Sequence, residues 1–189
     1  MRNYDVAIIG SGPGGLTAAL YLLRAGRSVV MFEKEGLGGQ LGKCPLIENY
    51  PSFTGPCGLF VDHIFDQLNI YKRFDFEPLE VISLTKEDDG CVLLDECADS
   101  YKASYIIYAA GASPIGLKVP GAGLPNVHYC ATCDGPLYKD QNVVVIGDGK
   151  VGRSIIQHTA LEGHEIIAID TNPKNIEELV NNYDVIGVC

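Results

Sequence analysis

Cys130 and Cys133 lie in the stretch His128-Tyr129-Cys130-Ala131-Thr132-Cys133-Asp134-Gly135. A Cys-x-x-Cys pair brings two sulfurs together and can cycle between dithiol and disulfide. Asp134 follows directly, so a carboxyl group able to pass a proton adjoins the pair. Alone, that acid reads equally well as a turn or helix-capping residue. Structural zinc needs four ligands. No second Cys-x-x-Cys exists, and His128 leaves the set one short. The pair reads as redox chemistry, and no metal is expected.

Two glycine turns flank the pair. The first is Gly10-Ser11-Gly12-Pro13-Gly14-Gly15, with a strand from Val6 before it and an apolar helix from Leu16 to Ala25 after it. A second strand, Ser28 to Phe32, ends at Glu33. The second turn is Gly147-Asp148-Gly149-Lys150-Val151-Gly152, preceded by a strand from Val143 and followed by a helix through Leu161. Gly163 turns the chain into a strand, Glu165 to Ile169, ending at Asp170. Both copies place the acid 18 residues after the third glycine.

In G-x-G-x-x-G the first glycine permits the tight turn, the second lets backbone approach a pyrophosphate, and the third lets helix pack on strand. The strand-end acid can bind a ribose hydroxyl, and the helix N-terminus favours phosphate. Gly10, Gly12, Gly15 and Glu33 are therefore candidate nucleotide-binding residues. Gly147, Gly149, Gly152 and Asp170 repeat the pattern in a shorter domain, which either binds a second nucleotide or stands idle.

The elements between the turns form an insert. Phe60, Ile64, Leu68 and Tyr71 mark one helix face. Strands are expected near Leu79 to Thr85 and Cys91 to Leu94, joined through the turn signal Asp89-Gly90. Tyr105 to Ala109 reads as a buried parallel strand. Proline and glycine crowd 114–125, which marks a boundary. The expected fold is α/β: a Rossmann-like domain with a β-meander insert over 1–113, then a truncated second Rossmann-like βαβ domain over 114–189 that carries the cysteine pair.

Composition narrows the classes. With 47% apolar and 20% charged residues, the chain reads as a soluble α/β protein. A net charge of −10 argues against nucleic acid, which needs clustered Lys and Arg. No apolar run approaches the roughly 18 residues of a membrane span. The first strand starts too early for a signal peptide. Seven cysteines without a disulfide-framework spacing fit a cytoplasmic, reduced setting. Cys44, Cys57, Cys91, Cys97 and Cys189 are expected to pack as small residues. His63, His158 and His164 read as surface or packing residues.

The motifs together resemble those of the low-molecular-weight thioredoxin reductases, among the flavoprotein disulfide reductases. They are Gly10-Ser11-Gly12-Pro13-Gly14-Gly15, Glu33, Gly38-Gly39-Gln40-Leu41, Glu48-Asn49-Tyr50-Pro51, Ala110-Gly111-Ala112-Ser113-Pro114 and Cys130-Ala131-Thr132-Cys133-Asp134-Gly135, in the family order. The resemblance implies FAD in the first fold. Gly10, Gly12 and Gly15 would face the pyrophosphate, Glu33 would bind the adenosine ribose, and Gln40 and Asn49 would line the flavin. It further implies that Cys133 is the flavin-facing sulfur, that Cys130 exchanges with substrate, and that Asp134 is the proton-transfer acid. Electrons would pass from a donor through FAD and the cysteine pair to a thioredoxin-like small disulfide protein.

Two departures qualify the resemblance. The family's second nucleotide domain continues further, and its chain then returns to complete the FAD domain. Here the sequence ends at Cys189, so a separate subunit, a second copy of the chain or a truncated gene product is expected. Unpaired core surface in the short domain points to a homo-oligomer or a complementing subunit. Where the family places a basic cluster for the NADPH 2′-phosphate, the chain reads Ile169-Asp170-Thr171-Asn172-Pro173. Asp170 disfavours NADPH and suits the ribose diol of NADH. Two other readings remain: a non-catalytic nucleotide-binding subunit or truncated homologue, and a flavin dithiol oxidase that passes electrons to oxygen.

Overall fold

The computed structural model describes residues 1–130, 134, 138, 141–147, 149–161 and 165–189. The chain forms two compact units, Met1–Ile115 and Gly116–Cys189. In the first, β1 (Arg2–Ile9), α1 (Pro13–Arg24) and β2 (Val29–Phe32) follow the expected strand–turn–helix–strand order. Then come a short 3-10 turn (Leu41–Lys43), the hairpin β3 (Leu46–Tyr50) and β4 (Phe53–Pro56), and α2 (Cys57–Asn69). The strands β5 (Phe74–Glu77), β6 (Val81–Glu87), β7 (Gly90–Asp95) and β8 (Ser100–Tyr108) complete it.

Six strands make one sheet in the order β5-β2-β1-β8-β7-β6. The side from β5 to β8 is parallel, and β6, β7 and β8 form an antiparallel meander. Strand alternation explains why both faces carry core. Val6, Ile8, Val29 and Met31 pack with Leu16, Ala19 and Leu23 of α1 and Val61 and Leu68 of α2. Ala7, Val30 and Phe32 point the other way, onto Leu93, Tyr101 and Ala103 of the meander. Sheet and helix therefore clamp the first glycine turn between the end of β1 and the start of α1.

Three features differ from the sequence-based expectation. Of the face expected for α2, Leu68 is buried and Ile64 and Tyr71 pack against the core, with Cys57 and Val61 buried beside them. Phe60 instead stacks on Tyr50 and Phe53 of the hairpin, with ring centroids 4.8 and 5.0 Å away. Strand β8 is parallel to β1 but is not buried at its outer end. Tyr105 and Tyr108 are 72% and 77% exposed, because pairing with β7 stops at Ala103. The β3–β4 hairpin and β5 were not foreseen; their strands are only four or five residues long.

One buried polar network ties β1, β7 and β8. The fully buried Asp95 accepts hydrogen bonds from the backbone N–H groups of Cys97 and Asp99, both at 2.9 Å, and from the Tyr101 hydroxyl at 2.9 Å. Arg2 donates to the same hydroxyl at 2.7 Å. Burial and the bond to Asp95 push the Tyr101 phenol well above its ordinary range. Asp95→Ala strands the buried Tyr101 hydroxyl and frees two part-buried backbone donors, so a loss of about 2–3 kcal/mol in urea unfolding is expected. Tyr101→Phe leaves Asp95 its backbone donors and should cost only about 1 kcal/mol.

The second unit contains β9 (Val143–Ile146), α3 (Lys150–Leu161), β10 (Ile166–Ile169), α4 (Pro173–Asn182) and β11 (Val185–Val188). Its sheet is parallel, in the order β11-β10-β9. Val143, Val145, Ile166, Ala168 and Val185 share one face with Ile156 of α3 and Ile176 and Leu179 of α4. Gly187 lies so close beneath α4 that a Cβ there would meet Ile176 Cγ2 at 2.5 Å. The opposite face shows Val144, Ile146, Ile186 and Val188, all exposed. Among the described residues no helix is long and apolar enough to cross a membrane.

Candidate functional site

The first glycine turn is held by contacts only glycine permits. Gly10 has φ +105°, and a Cβ there would lie 2.3 Å from Ala109 O. A Cβ on Gly15 would lie 2.0 Å from Gly10 O, so helix and strand meet backbone to backbone. Gly12 differs: nothing lies within 4 Å of where its Cβ would be. It caps α1 without a side-chain hydrogen bond, and Pro13 follows at the first helical position. The first N–H groups of α1 thus face open space with the positive end of the helix dipole behind them. That is a cradle for phosphate.

Glu33 braces this turn. Its Oε2 accepts from the Ser11 backbone N–H at 2.9 Å and from the Ser11 hydroxyl at 2.7 Å. Its Oε1 accepts from Glu35 N–H at 2.9 Å and Gly36 N–H at 3.4 Å. Partial burial pushes the carboxyl upward, but the bonds from Glu35, Ser11 and Gly36 outweigh it and hold Glu33 below its ordinary value. The buried Ser11 completes the link: its carbonyl and hydroxyl accept from Gly38 N–H at 3.1 and 3.3 Å. Ser11 was not singled out from sequence; it stands inside the motif, but its bonding depends on a loop that folds back.

That loop places the Gly38-Gly39-Gln40 motif. A Cβ on Gly39 would be 3.3 Å from Gly12 Cα, so the loop lies against the turn. A shallow depression of about 240 Å³, lined by Glu35, Gly36, Leu37, Gly39, Gly42 and Lys43, opens there. Lys43 and Glu35 pair at 2.7 Å on its rim. Gln40 precedes the 3-10 turn and Asn49 sits on β3; both are exposed. Among the remaining thiols of this unit, Cys57 is buried. Burial and its neighbour Cys44 push it up to about 11. Cys97 and Cys189 are exposed rather than packed.

The second turn repeats the first. Gly147 has φ +93°, and a Cβ on Gly152 would lie 1.8 Å from Gly147 O. Gly149, like Gly12, has nothing within 4 Å of its Cβ position. Gly147 N–H donates to Ile169 O at 2.7 Å, as Gly10 N–H donates to Phe32 O at 2.8 Å. Asp170 accepts from Asn172 N–H at 2.7 Å, the counterpart of Glu33 accepting from Glu35.

Of the redox segment, Cys130 is disulfide-bonded and half-buried, while Cys44, Cys57, Cys91, Cys97 and Cys189 are free thiols. Cys133 lies outside the described residues, as do Gly163 and His164. Asp134 N–H donates to Cys130 O at 2.9 Å. The Asp134 carboxylate lies 3.2 Å from His128 Nδ1, and His128 Nε2 lies 2.7 Å from the Tyr138 hydroxyl. The sequence marked His128 only as an incomplete zinc ligand and gave no signal for Tyr138. Among the described residues no group of three or more His, Cys, Asp or Glu side chains is gathered as a metal site.

Comparison with known proteins gives the same assignment from the whole chain. Residues 4–182 match the sequence profile of the pyridine nucleotide-disulphide oxidoreductases. The thioredoxin reductase of Bacillus subtilis (strain 168) is 36% identical over 153 residues, 78% of this chain and 48% of that protein. That of Mycolicibacterium smegmatis is 38% identical over 155 residues, 77% of this chain and 48% of that protein. The crystal structure of thioredoxin reductase from Streptococcus pyogenes MGAS5005 has a TM-score of 0.80 at 28% identity, covering 99% of this chain and 64% of that one. The chain spans about half the length of the curated relatives it matches. With its glycine turns, its meander and these matches, the chain belongs to the pyridine nucleotide-disulphide oxidoreductase family and is similar within it to the thioredoxin reductases.

Proposed function

We propose that the chain carries the FAD-binding and disulfide-bearing part of a thioredoxin-reductase-like thiol–disulfide oxidoreductase. The observation that supports this best is the open cradle at Gly12, backed by an uncapped helix start and braced by Glu33. Gly10, Gly12 and Gly15 would hold the pyrophosphate of FAD. Gln40 and Asn49 would line the flavin. Glu33 already has two donors on each oxygen, so its part is to shape the turn, and a ribose hydroxyl would have to replace the long Gly36 contact. Bound FAD supplies a two-electron couple that can open a disulfide. The chain's own part is to hold the Cys130/Cys133 pair, to move a proton at Asp134, and to exchange thiols with a thioredoxin-like small disulfide protein.

Equilibrium dialysis of the purified chain against FAD tests the reading. Saturable uptake of one FAD per chain supports it; no uptake at any concentration removes it. Peroxide release on adding dithiols would mark the oxidase reading instead.

Gly147, Gly149, Gly152 and Asp170 form a second nucleotide turn compatible with NADH. A carboxylate at the strand end repels a 2′-phosphate, so NADPH is disfavoured. Asp170→Ser should raise the affinity for NADPH relative to NADH by about 10-fold, read by fluorescence titration with each nucleotide. Thiol chemistry of this kind suits a cytoplasmic setting.

The exposed face of Val144, Ile146, Ile186 and Val188 is read as the contact with a second copy or a complementing subunit. Light scattering should show the chain self-associated. Ile146→Lys with Ile186→Lys should shift it towards monomer without loss of helix signal.

A further inference from the structure

His128 sits where the sequence offers it no evident task. Each ring nitrogen has a polar neighbour: Nδ1 lies 3.2 Å from Asp134 Oδ2, within ion-pair range, and Nε2 is hydrogen-bonded to the Tyr138 hydroxyl at 2.7 Å. The rings of His128 and Tyr138 meet edge to face with centroids 5.1 Å apart. Tyr138, His128 and Asp134 therefore stand in a line of polar contacts, and the line ends on the acid whose backbone N–H donates to Cys130 O. The His128 and Asp134 side chains are 29% and 27% exposed, so both keep an edge open to solvent.

We propose that His128 is a positioning residue for Asp134: it orients the carboxylate and returns the protons that Asp134 delivers during thiol–disulfide exchange. The inference rests on the reading of Cys130/Cys133 as the exchanging pair. In the exchange, the Cys130 thiolate attacks a substrate disulfide, one S–S bond breaks and a mixed disulfide forms. The second thiolate of the pair then displaces the remaining substrate sulfur. The pair ends as a disulfide and the substrate as two thiols: the two protons lost when the pair forms its thiolates go to solvent, and the two leaving sulfurs take up two in return. Asp134 hands a proton to a leaving thiolate, and His128 restores it from solvent. Among the described residues, the titratable groups in contact with the His128 ring are Asp134 and Tyr138.

The leaving group separates this role from a merely structural one. The full-length chain is reduced and freed of reductant, and exchange at Cys130 is followed by peptide mass spectrometry. Hydroxyethyl disulfide releases a basic thiolate that must take up a proton. Dithiobis(nitrobenzoate) releases a weakly basic thiolate that does not. His128→Gln keeps an N–H for Asp134 but carries no proton. It should slow exchange with hydroxyethyl disulfide about 10-fold and leave the nitrobenzoate reaction unchanged. Its slowing should vanish in an Asp134→Asn background, since both act on one step. Tyr138→Phe, which frees Nε2, should slow the first reaction less and the second not at all.

His128→Gln slowing both disulfides alike, or neither, overturns the proposal. So does an unchanged His128 effect in the Asp134→Asn background. The assay needs no flavin, so failure of FAD binding leaves its readout intact. A Cys130 that exchanges with neither reagent in the wild-type chain removes both readings.

Discussion

Gly12→Ala should leave the chain folded and weaken the FAD binding proposed for it, whereas Gly15→Ala should damage the fold as well. Nothing lies within 4 Å of a Cβ on Gly12, and its φ of −65° and ψ of 176° suit any residue. The methyl group projects into the space where phosphate would approach the helix N-terminus. Loss of close approach forfeits charge-assisted hydrogen bonds worth about 1.5–3 kcal/mol each, so FAD affinity should fall about 100-fold. The melting temperature should move by no more than about 3 °C, because Gly to Ala at a helix cap costs under roughly 1 kcal/mol.

At Gly15 the added methyl would sit 2.0 Å from Gly10 O, and both groups are backbone. Strand β1 or helix α1 must shift, at a cost of about 3 kcal/mol, which lowers the melting temperature by roughly 6–12 °C. Calorimetry and FAD titration on the two variants separate the tasks of the two glycines. Wild-type FAD affinity in Gly12→Ala would show that the phosphate lies elsewhere.

Cys133→Ser should keep FAD binding and lose the transfer of electrons between dithiols and flavin, by a factor on the order of 10³ or more. A serine hydroxyl neither forms a disulfide nor leaves from one at neutral pH. The five remaining thiols are free, so none of them is bonded to Cys130; Cys57 is buried beside Cys44 and pushed up to about 11 by that burial and by Cys44. Cys130→Ser should instead keep the flavin response to small dithiols in excess and lose exchange with a protein disulfide. Stopped-flow spectra of both variants with dithiothreitol, then with an oxidised thioredoxin, read the division. An intact dithiol response in Cys133→Ser assigns the flavin-facing sulfur wrongly.

Much of the frame was legible because glycine geometry is local. The order Gly10, Gly12, Gly15 and Glu33 announced a strand, a turn, a helix and a second strand, and the same spacing found the second unit at Gly147. The β6–β7 hairpin was legible in Asp89-Gly90. What was not legible depended on tertiary partners. Ile64, Leu68 and Tyr71 meet the core as their spacing suggests, whereas Phe60, of the same spacing, meets Tyr50 and Phe53 of the unforeseen β3–β4 hairpin. Tyr105 and Tyr108 belong to an apolar run that alone reads as buried, but β7 ends before reaching them.

The site divides in the same way. Glu33 was legible as the strand-end acid, but its engagement with Ser11, Glu35 and Gly36 follows from the loop that closes over the turn. His128 is ten residues from Tyr138 and six from Asp134. No periodic pattern links the three, yet they meet through the His128 ring.

The most direct measurement is an anaerobic titration of the FAD-loaded chain with dithiothreitol, followed in the visible spectrum. A redox sulfur pair in electronic contact with the flavin predicts a bound, structured flavin band that bleaches as two electrons enter. A chain that takes up no FAD, or one whose bound FAD stays oxidised under excess dithiol, contradicts that contact.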